Sequence, residues 1–285
     1  MTEDLGPRLQ KQFGPKGLRT LTSQALAGTA LPPASVAALA AGVPVQVGPY
    51  FSATDRESLT LGDHASAIDA RRLSPTLSSW CRLGTDRGAE ICVGPSGAVQ
   101  AIFIVTDAAP LHVNDTVEAF LDSLIALDRA LPVLRSPGRK DPLDVFRELR
   151  ARLLQIDAAP LQDDESWWSR VLELIRHAVS FPASVAFEVE SPGGRRHIET
   201  EQTRVGVEHP EHLLWDRLEA QGVRPGQITR IYTELEPCFM PGNYCAMWLT
   251  QFPNAEFTYS HDYGQTAAER EAGLLELMQN AASNR

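Results

Sequence analysis

The chain has 285 residues, 43% of them hydrophobic and 22% charged, with 26 Lys+Arg against 36 Asp+Glu for a net charge of −10. That length suits about two domains, and the composition is ordinary for a globular protein, which excludes a wholly disordered chain or a fibre. No apolar run approaches the roughly 18 residues of a membrane-spanning helix, and the opening Met-Thr-Glu-Asp has neither a basic nor an apolar leader, so the expectation is a cytoplasmic protein with no membrane contact.

Residues 1–20 are polar, broken by Gly-Pro and Pro-Lys-Gly, and read as a loose lead-in. Ser35 to Ala41 is helix-like behind Pro32-Pro33, and Gly42-Val43-Pro44 ends it. Val45 to Val105 is strand-rich. Within it Ile91-Cys92-Val93, the turn Gly94-Pro95-Ser96-Gly97 and Val99 to Val105 predict a β-hairpin. Asn114 is a plausible N-cap for a helix over Thr116 to Leu131, whose Val117, Phe120, Leu121, Leu124, Ile125 and Leu127 recur with the helical period. A turn over residues 136–140 precedes two more amphipathic helices, Asp144 to Leu154 and Trp167 to Val179. Cys81 and Cys92 lie in apolar, strand-like surroundings and read as inert core thiols. His64 and His112 are isolated, and residues 1–180 show no catalytic grouping.

Phe181-Pro182 marks a boundary, giving domains 1–180 and 181–285. The pattern then predicts strands at Ser184 to Val189 and Arg196 to Thr203, a helix from His209 to Gln221, and a strand at Ile228 to Thr233. A short helix at Tyr244 to Gln251, a strand at Glu256 to Ser260 and a helix at Ala267 to Ala282 follow. The order β-β-α-β-α-β-α suits one sheet layered with helices. The second part holds 8 basic and 15 acidic residues, and all eight are Arg, so it disfavours tight non-specific DNA binding but leaves a local phosphate clamp open.

His209-Pro210-Glu211 opens a helix, Pro237-Cys238 follows a strand, and Cys245 begins the next helix. One imidazole and two thiolates make three tetrahedral ligands for Zn²⁺ with one position open, and such an ion lowers the pKa of a bound water towards neutrality. Glu211, two residues from the imidazole, is placed to shuttle that water's proton. The alternative is that His209 caps a helix and both cysteines are buried thiols.

The string HPE…YTELEPCFMPGNYC resembles the zinc-dependent cytidine deaminase superfamily, and within it the bacterial toxin-type nucleic-acid deaminases, over residues 181–285. The resemblance implies an α/β, three-layer fold with a mixed sheet, His209, Cys238 and Cys245 as zinc ligands, and Glu211 as catalytic proton shuttle. The pattern departs from the family in its cysteine spacing, six residues (Phe239 to Tyr244) in place of two, and no fifth strand is read after the last helix. In the superfamily the segment after the fourth strand contacts the nucleotide beside the target base. That makes Tyr259, His261 and Tyr263 candidate substrate contacts, with Glu236 as a target-base contact or a helix cap. Trp248 reads as core packing, His212 as a surface or supporting residue, and Arg195-Arg196 as a solvated hairpin edge. The first part, over most of 30–180, is similar to the SUKH superfamily of immunity-like α+β domains, through Val113-Asn114-Asp115-Thr116 and Phe120-Leu121, which implies a protein partner and no chemistry. The combined expectation is hydrolytic conversion of cytosine to uracil in single-stranded or flipped-out DNA. A free nucleotide or nucleoside, adenine (through a Leu-Glu-Pro-Cys string shared with adenosine deaminases acting on RNA), and a non-catalytic immunity or sensor protein are the alternatives.

Overall fold

A computed structural model of the chain describes residues 4–22, 24–26, 28–55, 59–70, 73–136, 138 and 140–283. The opening Met1, Thr2 and Glu3, and Pro137 and Arg139 of the expected turn, lie outside these described residues. The chain divides into two units, Met1–Leu172 and Glu173–Arg285.

The expected loose lead-in holds a helix, α1 (Leu5–Phe13). Asp4 caps it by accepting from the Leu5 N–H at 2.8 Å, and Gly6-Pro7 fall in the first turn, where an amide has no helical partner to lose. Next come β1 (Leu18–Arg19), α2 (Pro33–Leu39) and β2 (Val43–Pro44), with β1 and β2 paired antiparallel. A six-stranded antiparallel sheet follows, in sequential order: β3 (Gln46–Val47), β4 (Phe51–Ala53), β5 (Cys81–Thr85), β6 (Glu90–Val93), β7 (Val99–Ile102) and β8 (Leu111–Asn114). Two short helices, α3 (Leu61–Ala67) and α4 (Pro75–Ser78), interrupt what the sequence showed as strand-rich. The predicted hairpin is β6–β7, with Val93 opposite Val99 and Gly97 at φ +90° closing the turn, a conformation that favours glycine.

The long helix α5 (Val117–Arg135) starts from Thr116, whose hydroxyl accepts from the Ala119 N–H at 3.1 Å. Asn114, expected as the cap, is instead a buried strand-end residue: its side chain accepts from the Trp168 indole at 2.8 Å and donates to Asp157 at 3.0 Å. A side chain with two such buried partners is not free to turn back onto a helix end. Helices α6 (Pro142–Ile156) and α7 (Trp167–Ser180) follow. Phe120 meets Phe51 edge-on at 5.4 Å, and the Trp167 indole donates to the fully buried Asp86 at 2.7 Å. Cys81 and Cys92 are free, fully buried core thiols, Cys81 pushed by burial up to about 12.

In the second unit β9 (Ser184–Glu190) and β10 (Arg196–Gln202) form an antiparallel hairpin, followed by α8 (Pro210–Ala220), β11 (Ile228–Leu235), α9 (Cys245–Trp248), β12 (Glu256–His261) and α10 (Ala267–Ser283). The predicted β-β-α-β-α-β-α order is the observed one. The sheet order is β10-β9-β11-β12, with β11 antiparallel to β9 and parallel to β12, so the sheet is mixed. Val185, Phe187 and Val189 alternate inward from β9 and join Ile231, Leu214, Trp215, Leu218, Leu249 and Phe252 in one core. On the opposite face Ala186, Glu188, Arg196, Ile198, Arg230, Tyr232, Thr258 and Ser260 are all unburied. Arg196 there pairs with Glu188 at 3.2 Å and Glu190 at 3.0 Å. The described residues therefore form the expected α/β arrangement on a mixed sheet, with solvated ion pairs on the face away from the core. Helix α10 closes the C-terminal ends of β11 and β12. Gly273 lies so near the Asp262 backbone that a Cβ would sit 2.0 Å from its oxygen. Among the described residues no helix is long and apolar enough to cross a membrane.

Candidate metal centre and active site

His209 is the residue before the first turn of α8, with Pro210 behind it at the first helical position, where its missing N–H costs nothing. Cys238 sits in the loop after β11, and Cys245 is the first residue of α9. Both sulfurs lie 3.5 Å from His209 Nδ1, and the three ligand-type atoms are all within 4.8 Å of one another. A tetrahedral zinc ion with ordinary bond lengths needs N···S separations of about 3.6 Å and an S···S separation of about 3.8 Å. The donor set therefore fits zinc in type and in spacing.

The electrostatics agree with an anionic pocket shaped for a cation. Burial would push the Cys238 thiol up, but its hydrogen bond from Cys245 and the neighbouring His209 outweigh burial and hold it well below the ordinary thiol range. Cys245, buried and facing that thiolate, is raised well above it. Burial disfavours charge on His209, yet the Cys238 thiolate carries the imidazole up to about 8. Glu211 is buried, 5% exposed, and burial raises its carboxyl above the usual range; its Oε2 has no hydrogen-bond partner among the described residues.

The six-residue interval between the cysteines is folded inward. Met240, Pro241, Gly242, Asn243 and Tyr244 are all buried. Ala246 N–H donates to the Cys238 carbonyl at 3.0 Å, which returns the chain to the first cysteine. Tyr244 takes a left-handed conformation at φ 44° just before Cys245, a costly choice for a residue with a side chain. Asn243 is the residue that sequence reasoning missed. Its Oδ1 accepts the His209 N–H at 2.8 Å, and its carbonyl lies 3.0 Å from His212 Nε2, which must then donate. His212 is buried and its ring lies 4.1 Å from that of Trp248, so both support the site from behind, as core and supporting residues. Only the pairing of Pro-Gly-Asn with an inward loop would have marked Asn243, and that pairing is not local.

A cleft of about 550 Å³, part of it open to solvent, adjoins the cluster. His209, Glu211 and Cys238 line it, as do Glu236 and Tyr263. Glu236 does not cap α9; its Oε2 accepts from the N–H groups of Tyr263 and Gly264, both at 3.2 Å, and ties the segment after β12 to the end of β11. Tyr259 and His261 are not among the described lining residues. Tyr259 stands 46% exposed on the edge strand β12, and His261 is buried with Nδ1 3.6 Å from Glu276 of α10. Residues 259, 261 and 263 share one parity, so alternation does not separate them; β12 ends at His261, and it is the segment beyond it, tied back by Glu236, that lines the cleft. Sequence reasoning also missed His177 and Thr233, both buried and both in the cleft wall. Away from this site, His64 pairs with Glu90 at 3.2 Å and His112 with Asp115 at 3.1 Å.

Residues 6–174, more than half of the chain, match a family model described as SUKH-4 immunity protein, and residues 182–280 match one described as Xanthomonas-like deaminase. No curated protein and no solved structure matches the chain.

Proposed function

We propose, for a chain that belongs to the SUKH-4 immunity protein family and carries a deaminase-family domain behind it, that the deaminase domain is a zinc-dependent hydrolase converting cytosine to uracil in DNA. The target base would be single-stranded or flipped out of the duplex. One observation carries the reading: His209 Nδ1 and the Cys238 and Cys245 sulfurs converge at zinc-ligand spacing, in a cleft whose wall includes the buried carboxyl of Glu211.

His209, Cys238 and Cys245 would hold the ion, which supplies Lewis acidity that makes a water acidic near neutral pH. Glu211 takes a proton from that water and returns it to the base. The water oxygen bonds to C4 as its first proton goes through Glu211 to the ring nitrogen N3; Glu211 then carries the second proton from the new C4 hydroxyl to the amine, the C4–N bond breaks, and ammonia leaves a C4 carbonyl. A carboxyl raised by burial suits both halves of this exchange, because it gives up a proton nearly as readily as it takes one. Glu236 and Tyr263 belong to the base cleft, and Tyr259 offers an exposed ring for a flanking base. His261 faces α10 and takes no substrate role. The first domain, as a SUKH domain, binds a protein partner, and we place the functional border at 180/181.

The second part's 8 basic against 15 acidic residues favour one second reading, a free cytosine nucleoside or nucleotide as substrate. Incubation with mixed DNA, RNA and nucleosides, read by sequencing and by ammonia release, separates the two. Glu211→Ala should keep stoichiometric zinc and lose uracil formation by about 100-fold or more. Zinc at full stoichiometry with no turnover of any of these substrates by the wild-type protein would leave a binding module and refute the enzyme.

A further inference from the structure

Two hydroxyl groups in the cleft wall find no acceptor for their protons among the described residues. Thr233 Oγ1 is buried and has no hydrogen-bond partner among the described residues. Tyr263 is the second, and its case follows from a chain of donors behind it. Arg176 holds Glu271 through both terminal guanidinium nitrogens, and its Nη2 also lies 3.0 Å from His177 Nε2. A guanidinium only donates, so this 3.0 Å contact makes Nε2 an acceptor; the Glu271 carboxylate, which would make it a donor, is the more distant partner at 3.4 Å. The acidic groups facing this ring are Glu271 at 3.4 Å and Glu173 at 3.8 Å, and Glu173 is itself occupied by Arg270 with two contacts of 2.8 Å. Burial, then Arg176, hold the His177 imidazole down to about 4, so the ring is neutral near pH 7; with Nε2 accepting from Arg176, its one proton is on Nδ1. Nδ1 lies 3.0 Å from the Tyr263 hydroxyl. That N–H therefore donates to the Tyr263 oxygen, and the tyrosine's own proton must point elsewhere, in a residue that lines the cleft.

We propose that Tyr263, held as a fixed hydrogen-bond donor by the Arg176–His177 pair, acts with Thr233 to read the target base, selecting a ring that carries a carbonyl beside its reacting edge. This rests on the deaminase reading above and adds the base specificity. Cytosine presents its C2 carbonyl next but one to the carbon that loses the amine. Adenine presents a C–H at the corresponding place, which would leave a buried donor unpaired. Tyr263 is thus a specificity-determining residue, and Arg176 and His177 are positioning residues.

The test uses the full chain with zinc and two single-stranded oligonucleotides, one with pyrimidin-2-one and one with unsubstituted purine at the target position. Neither base has an amine to lose. Wild type should bind the pyrimidin-2-one strand about tenfold more tightly, the scale of leaving one buried donor unmet. Tyr263→Phe should bring the ratio close to one. Thr233→Val should lower it while keeping or raising the melting temperature, which a merely structural hydroxyl would not do. Nitrogen-15 NMR should find His177 neutral and protonated on Nδ1 at pH 7. Equal wild-type binding of the two strands, an unchanged ratio in Tyr263→Phe, or a His177 proton on Nε2 would each overturn the inference, while cytosine turnover by the wild type leaves the proposed reaction standing. Conversely, an intact ratio that Tyr263→Phe abolishes, in a protein that deaminates nothing, supports this assignment and removes the reaction.

Discussion

Asn243→Ala tests whether the long inter-cysteine loop supports the metal ligands. The substitution removes the acceptor that holds the His209 N–H at 2.8 Å, in a residue only 2% exposed. The backbone carbonyl that His212 contacts stays in place, so the lesion is confined to one bond. Leaving a buried N–H unpaired costs about 1–3 kcal/mol of stability. Loss of a group that orients a metal ligand typically weakens metal binding by about 10–100-fold. Competition for zinc against a chromophoric chelator should show that loss, with a lower melting temperature of the second unit. Asn243→Asp, which keeps an acceptor and adds a negative charge beside the cluster, should bind zinc as tightly as wild type or more so. A zinc Kd for Asn243→Ala within about twofold of wild type would refute the reasoning, because the loop would then be filler.

Three further outcomes follow from the same structure. Stripping zinc should destabilise the second unit selectively, by about 3 kcal/mol relative to zinc at a hundred times its Kd; a calorimetric scan in which both units shift equally would contradict this. Trp167→Phe leaves the buried Asp86 without its 2.7 Å indole donor and should cost the first unit about 2–4 kcal/mol in urea unfolding, well above a surface substitution. His177 has an ordinary value of 6.5 and is held down to about 4 in the fold. Its unfolded form therefore takes up a proton first as the pH falls. The second unit should hold full stability above about 6.5 and lose up to about 3 kcal/mol towards pH 4. Denaturant melts of wild type and His177→Gln should show that slope shrinking in the variant; an equal slope in both would assign the acid lability to other groups.

Elements with a clear hydrophobic period were legible in the sequence. Val185, Phe187 and Val189 alternate, Val117 to Leu127 repeat with helical spacing, and both segments fold as read. Helix α1 was hidden because Gly6-Pro7 reads as a break, although a helix's first turn has no amide bonds to lose. The cap of α5 was misplaced by two residues because Asn114 and Thr116 are both good caps, and only the distant Trp168 and Asp157 decide between them. In the candidate site, the spacing His-x-Glu and the Pro-Cys pair were visible as strings, whereas Asn243, Thr233 and His177 matter through burial beside residues tens of positions away. No local pattern marks such a residue.

An insertion normally swells a protein outward, and can be trimmed without harm. The stretch from Phe239 to Tyr244 is folded inward instead, and Asn243 within it holds the amide of His209. Trimming it to a two-residue interval would therefore pull away the beam on which the imidazole rests. Searches for related centres are better framed around which amide a buried asparagine holds than around how many residues separate two sulfurs.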